Sequence, residues 1–106
     1  MNVFAYGELM KKDRLKELIN RVPKMKKGKI IGYEKFFDKN IGYYGVKEEI
    51  KEKRKTVDGI ILFDISEDEL KIFDDYEDEG VYYLRRKTHA YDDEGNKYEV
   101  CVYIRN

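Results

Sequence analysis

The stretch Val57-Asp58-Gly59-Ile60-Ile61-Leu62-Phe63-Asp64-Ile65-Ser66-Glu67-Asp68-Glu69-Leu70-Lys71-Ile72-Phe73-Asp74-Asp75-Tyr76-Glu77 contains a full change of secondary structure. Val57 to Ile65 is rich in aliphatic and aromatic residues, with Ile60, Ile61, Leu62 and Phe63 at its centre, and reads as a strand. Ser66-Glu67-Asp68-Glu69 has the pattern of a capping box, in which the Ser66 hydroxyl and the Glu69 carboxylate satisfy free amides of a first helical turn. The helix opened there presents Leu70 and Phe73 to a core and ends near Tyr76 or Glu77. Downstream, 82–91 and 97–105 alternate as two strands, joined by a turn at Asp92-Asp93-Glu94-Gly95-Asn96.

Upstream, residues 2–6 read as a first strand, rich in Val, Phe and Tyr, that breaks at Gly7. Asp13 is placed to cap a helix running to about Arg21, with Leu15, Leu18 and Ile19 on one face, and Pro23 prevents its continuation. Residues 28–37 read as one strand and 41–46 as a short, glycine-punctuated one, where glycines mark bulges or close backbone approach. The charge run 47–55 reads as a solvated loop or hairpin tip. The resulting order is β-α-β-β-β-α-β-β, with mostly hairpin connections. It predicts an α+β fold: a small mixed, mainly antiparallel, barrel-like sheet with two flanking helices.

The 106 residues fit one domain, spanning 1–106, with a modest core. Lys plus Arg and Asp plus Glu number 22 each, and this zero net charge argues against a nucleic-acid partner, which would call for excess cations. No apolar run approaches the roughly 20 residues of a membrane span, and the start is too short and polar for a secretory signal. The expectation is a cytoplasmic protein with no membrane partner. A single cysteine, Cys101, excludes an internal disulfide and a Cys-rich metal site, and reads as a small core residue. His89 stands on a strand without a second His or a Cys nearby, so no metal is expected.

Glu77 is by itself a solvated helix-end acid among many. Tyr6-Gly7-Glu8-Leu9 is a strand breaking into a glycine turn, whose amides bond water or their own backbone, or else bind an anion. Tyr83 lines a pocket or fills the core, and Arg85 is a substrate partner or one half of a structural ion pair. Lys12 and Arg14 follow the loop and are either solvated or attract an anion.

Two segments together resemble the γ-glutamylcyclotransferase-like (AIG2-like) family. Val3-Phe4-Ala5-Tyr6-Gly7-Glu8-Leu9-Met10 is similar to that family's N-terminal strand ending in Tyr-Gly-Ser/Thr-Leu. Leu70 to Glu77, followed by Tyr83-Leu84-Arg85, is similar to its Leu-Asp-x-Tyr-Glu and Tyr-x-Arg. Val57-Asp58-Gly59-Ile60-Ile61-Leu62-Phe63 resembles the strand before its acidic helix, and Cys101-Val102-Tyr103 its closing strand. Glu8 stands where the family has Ser or Thr, and Asp78 where glycine follows the glutamate.

The resemblance implies cyclisation of a γ-glutamyl group to 5-oxoproline with release of an amine or amino acid. It implies a small-molecule γ-glutamyl substrate and no cofactor. Glu77 would be the general acid/base, and Tyr6, Gly7, Glu8, Leu9, Tyr83 and Arg85 would bind substrate. A Glu8 side chain turned outward leaves only its amide in the site; turned inward, it repels a substrate carboxylate or binds an ammonium. The alternative is a non-catalytic ligand-binding or interaction module on the same fold. The oligomeric state is left open.

Overall fold

The computed structural model describes residues 1–49, 51 and 55–106. Seven strands and two helices follow in the order β1 (Val3–Ala5), α1 (Lys12–Ile19), β2 (Met25–Ile31), β3 (Tyr33–Asp38), β4 (Tyr43–Glu48), β5 (Thr56–Leu62), α2 (Glu67–Tyr76), β6 (Tyr83–Asp92) and β7 (Lys97–Arg105). A 3-10 turn, Glu8–Met10, separates β1 from α1. Five strands close into a barrel in the order β1-β5-β2-β6-β7. Every pairing is antiparallel except the closing one, where Val3 of β1 lies beside Cys101 of β7 in parallel. The sheet is thus mixed and mainly antiparallel. The turn Asp92–Asn96 is held by the buried Asp92 carboxylate, which accepts from the Glu94 and Asn96 amides and the Tyr98 hydroxyl.

The expected single strand at 28–37 is two strands. Gly32 adopts φ +85°, a left-handed conformation that turns β3 out of the barrel. β3 and β4 then pair with each other as a separate hairpin. Two further corrections concern helix α1 and the start of β4. Asp13 lies in the first turn of α1 rather than at its cap; the cap is Lys11, without a side-chain hydrogen bond. β4 begins at Tyr43, because residues 38–42 form the hairpin turn, closed by the Gly42 amide on the Asp38 carbonyl at 2.8 Å. Of the 47–55 charge run, residues 50 and 52–54 lie outside the described residues.

Strand alternation divides the core in two. Val3, Ala5, Leu62 and Tyr103 face the helices and pack with Leu15, Ile19, Leu70 and Phe73. Phe4, Ile61, Val100, Val102 and Ile104 form the other cluster with Ile30 and Val57. Helix α2 starts at the capping box foreseen from sequence: Glu69 N–H donates to Ser66 Oγ at 3.1 Å, and Ser66 N–H to Glu69 Oε1 at 3.0 Å. The Arg21 guanidinium bridges both Glu69 oxygens, tying the chain after α1 to the start of α2.

Candidate active site

Helix α2 delivers Glu77 by the way it stops. Phe73 is wholly buried, and the Glu77 amide still donates to the Phe73 carbonyl at 2.9 Å, so Glu77 stays in helical register at the C-cap. The chain then reverses at Asp78, which adopts φ +51°. That is the conformation glycine supplies at helix ends without cost. Asp78 therefore keeps the backbone shape that a glycine would give, at the expense of left-handed strain. Asp78→Gly is expected to raise stability by about 1 kcal/mol in chemical denaturation. It should also lower the Glu77 pKa, since the neighbouring carboxylate is one of the groups that raises it.

Glu77 lines a cavity of about 670 Å³. One wall is the end of β1 and the loop after it, including Tyr6, Gly7, Glu8 and Leu9. The end of α2 forms the second, with Tyr76, Glu77 and Asp78. The β3–β4 hairpin forms the third, with Phe37, Tyr43 and Tyr44 exposed at the rim. Tyr83 and Tyr103 complete the lining from the last two strands. Burial, with smaller contributions from Asp78 and Glu8, pushes the Glu77 carboxyl up to about 7. Tyr83 is pushed up to about 12, first by burial and then by the Glu77 charge. Tyr6 is also raised by burial and, to a lesser degree, by Tyr83 and Glu77, which places the three within electrostatic reach of one another.

Gly7 is the N-cap of the 3-10 turn and makes no side-chain cap. The turn's first backbone bond runs from the Met10 amide to the Gly7 carbonyl at 3.0 Å. The amides of Glu8 and Leu9 precede that bond and have no turn carbonyl to meet. Tyr6 anchors the loop by donating its hydroxyl to the Tyr103 carbonyl.

The Glu8 carboxylate turns toward α1. It lies 3.0 Å from Lys11 Nζ and 3.7 Å from Arg14 Nε, and the Arg14 guanidinium also sits over the Tyr76 ring at 5.6 Å. Two cations thus offset the Glu8 charge while its residue remains in the cavity lining. Tyr83 is buried and donates its hydroxyl to the Tyr44 carbonyl at 2.8 Å, which ties β6 to the hairpin. Arg85 is not brought into the lining. Its guanidinium pairs with Asp74 at 2.9 Å, and Asp74 also accepts the Tyr103 hydroxyl at 2.7 Å. Asp74 lies on α2 one turn before Glu77, so this cluster fixes the helix against β6 and β7.

Residue-by-residue sequence reading missed the hairpin wall. Phe37, Tyr43 and Tyr44 read there only as strand residues. The signal in the chain was a pair of adjacent tyrosines between two glycines, Gly42 and Gly45, since neighbouring strand residues cannot both face one core.

The chain is similar to known proteins over nearly all its length. It is 62% identical over 104 residues to a protein of Methanocaldococcus jannaschii named "Gamma-glutamylcyclotransferase and putative RNase", covering 98% of this chain and 46% of that one. It is 31% identical over 105 residues to AIG2-like protein D of Arabidopsis thaliana, covering 97% of this chain and 66% of the relative. The chain therefore spans about half to two thirds of these relatives' lengths. A solution structure of an Arabidopsis thaliana protein superposes with a TM-score of 0.85 at 26% identity, covering 98% of this chain and 67% of that one. Among the described residues, no helix is long and apolar enough to cross a membrane. The family model described as "Gamma-glutamyl cyclotransferase, AIG2-like" matches residues 3–106, and the chain belongs to that family.

Proposed function

We propose that the cavity binds a γ-glutamyl compound and cyclises it to 5-oxoproline, with Glu77 as the proton carrier. The observation that carries this reading is a largely buried carboxyl, pushed up to about 7, in a cavity it shares with Gly7, Glu8 and Leu9. The α-amine attacks the γ-carbonyl of the same molecule, so the lactam C–N bond forms as the amide C–N bond breaks. Two protons leave the attacking ammonium nitrogen and end on the departing nitrogen, which leaves as an ammonium. Glu77 takes and returns them in turn, and a carboxyl that titrates near neutral pH suits both directions. Nucleophile and electrophile belong to one molecule, so the reaction needs positioning rather than a cofactor.

Gly7, Glu8 and Leu9 supply backbone donors for a substrate carboxylate or the developing oxyanion. Tyr6 and Tyr83 enclose Glu77 and keep water from its carboxyl. Arg85 acts through Asp74 by holding α2, as a positioning residue. The pairing of Glu8 with Lys11 and Arg14 favours the case in which its backbone meets the substrate, while its charge acts on Glu77.

The test is a panel of γ-glutamyl amides assayed for 5-oxoproline, with melting curves run alongside. Cyclised product from at least one member is expected. Thermal stabilisation by γ-glutamyl ligands without any product would overturn the enzyme in favour of the ligand-binding module.

A further inference from the structure

We propose that the β3–β4 hairpin wall is the leaving-group subsite and that it selects γ-glutamyl amino acids with large apolar or aromatic side chains and a free α-carboxylate. This rests on the cyclase reading above and names its substrate class.

The wall is apolar where solvent reaches it. Phe37, Tyr43 and Tyr44 are each about half exposed, and Phe37 meets Tyr44 edge-on with ring centroids 5.1 Å apart. An exposed aromatic cluster of this kind, on the rim of a cavity, marks a surface that a ligand covers. It does not belong to a freely swinging flap. Arg105 pairs with Asp38 at the hairpin's turn, and the Tyr83 hydroxyl holds the Tyr44 carbonyl next to it. The wall is thus pre-formed.

Its charge decides what it takes. Two lysines line the cavity, and Lys11 is occupied by Glu8 at 3.0 Å. Lys35 places its ammonium 4.5 Å from the centre of the Tyr44 ring, and among the described residues no carboxylate pairs with it. The lysine fills the place a substrate cation would take on that ring, and repels a second cation. It attracts an anion instead. A leaving group whose apolar side chain lies on Phe37, and whose carboxylate reaches Lys35 two residues away on the same face of β3, satisfies both features. An amine released from a lysine side chain carries its own ammonium to this wall and does not.

The experiment compares kcat/KM for four substrates: γ-glutamyl-phenylalanine, γ-glutamyl-alanine, γ-glutamyl-phenethylamine and ε-(γ-glutamyl)lysine. The phenylalanine compound is expected to exceed each of the others by about 10-fold, the scale of one charge-assisted contact or one stacked ring. Lys35→Gln should bring the ratio of γ-glutamyl-phenylalanine to γ-glutamyl-phenethylamine close to one. Phe37→Ala should do the same for the ratio of phenylalanine to alanine. Equal turnover of all four, or ratios untouched by both substitutions, overturns the subsite and leaves the cyclase standing. No 5-oxoproline from any of the four sinks the cyclase, and the subsite with it.

Discussion

Glu77→Gln is expected to abolish cyclisation and to make the protein more stable at neutral and alkaline pH. Loss of a positioned proton carrier lowers turnover by about 10²- to 10⁴-fold. The stability gain follows from the direction in which the fold moves the carboxyl's pKa. Glu77 is raised from its ordinary 4.5 to about 7 in the fold. The folded state therefore disfavours the carboxylate relative to the unfolded chain. Below about pH 4.5 the group is protonated in both states and contributes nothing. Between 4.5 and 7 the unfolded chain ionises first, and the fold loses stability as pH rises. Above about 7 the loss is complete, at up to about 3 kcal/mol, since each tenfold change in an acid constant corresponds to about 1.36 kcal/mol. Glutamine never ionises, so the variant avoids the loss. Its melting point should match the wild type near pH 4 and exceed it by about 10 °C near pH 8. The wild type should also show a rising limb of kcat/KM near pH 7. A variant that still makes 5-oxoproline at the wild-type rate removes Glu77 from the mechanism. One whose stability advantage does not depend on pH removes the buried, titrating carboxyl.

The local signals in the chain were legible because they are chemical. The Ser66 and Glu69 pair opened α2 as read, and β7 runs over the 97–105 stretch read from alternation. What escaped was geometry set at a distance. Residues on both sides of Gly32 have strand character, and only the sign of one backbone angle sends β3 away from the barrel. Parallel closure of β1 on β7 joins residues almost a hundred positions apart, and no local pattern encodes it. The same holds for the site. Helix-end position marked Glu77, but the hairpin supplies the apolar wall and the barrel ends supply Tyr83 and Tyr103. Which way Glu8 turns was undecidable from spacing alone; it is settled by where Lys11, the cap of α1, and Arg14 in its first turn stand.

Gly59→Ala is the substitution expected to cost the fold most for one added carbon. Gly59 lies in β5 opposite Gly28 of β2 and beside the register where Ala5 pairs with Ile60. A methyl there would stand 2.6 Å from Phe4 Cζ and 3.0 Å from Cε2, and closer still to the Ala5 carbonyl oxygen. The ring can rotate away, but the carbonyl belongs to the backbone of β1. The strand must shift or give up hydrogen bonds to β5. Overpacking of this kind costs about 3 kcal/mol, a large part of the roughly 5–15 kcal/mol that holds a small domain. Urea denaturation measures it, and Gly28→Ala provides the scale. A methyl at Gly28 meets the Ile61 δ-methyl at 2.8 Å, a group that can turn aside, and the Tyr91 carbonyl oxygen only at 3.0 Å, so its cost should be smaller. Phe4→Leu added to Gly59→Ala should recover only part of the loss, because the carbonyl remains in the way. A Gly59→Ala protein within about 0.5 kcal/mol of wild type would mean that β1 is not pressed against β5. Because β1 runs directly into Tyr6 and Gly7, the strand that this glycine admits is also the strand that sets the loop wall across from Glu77.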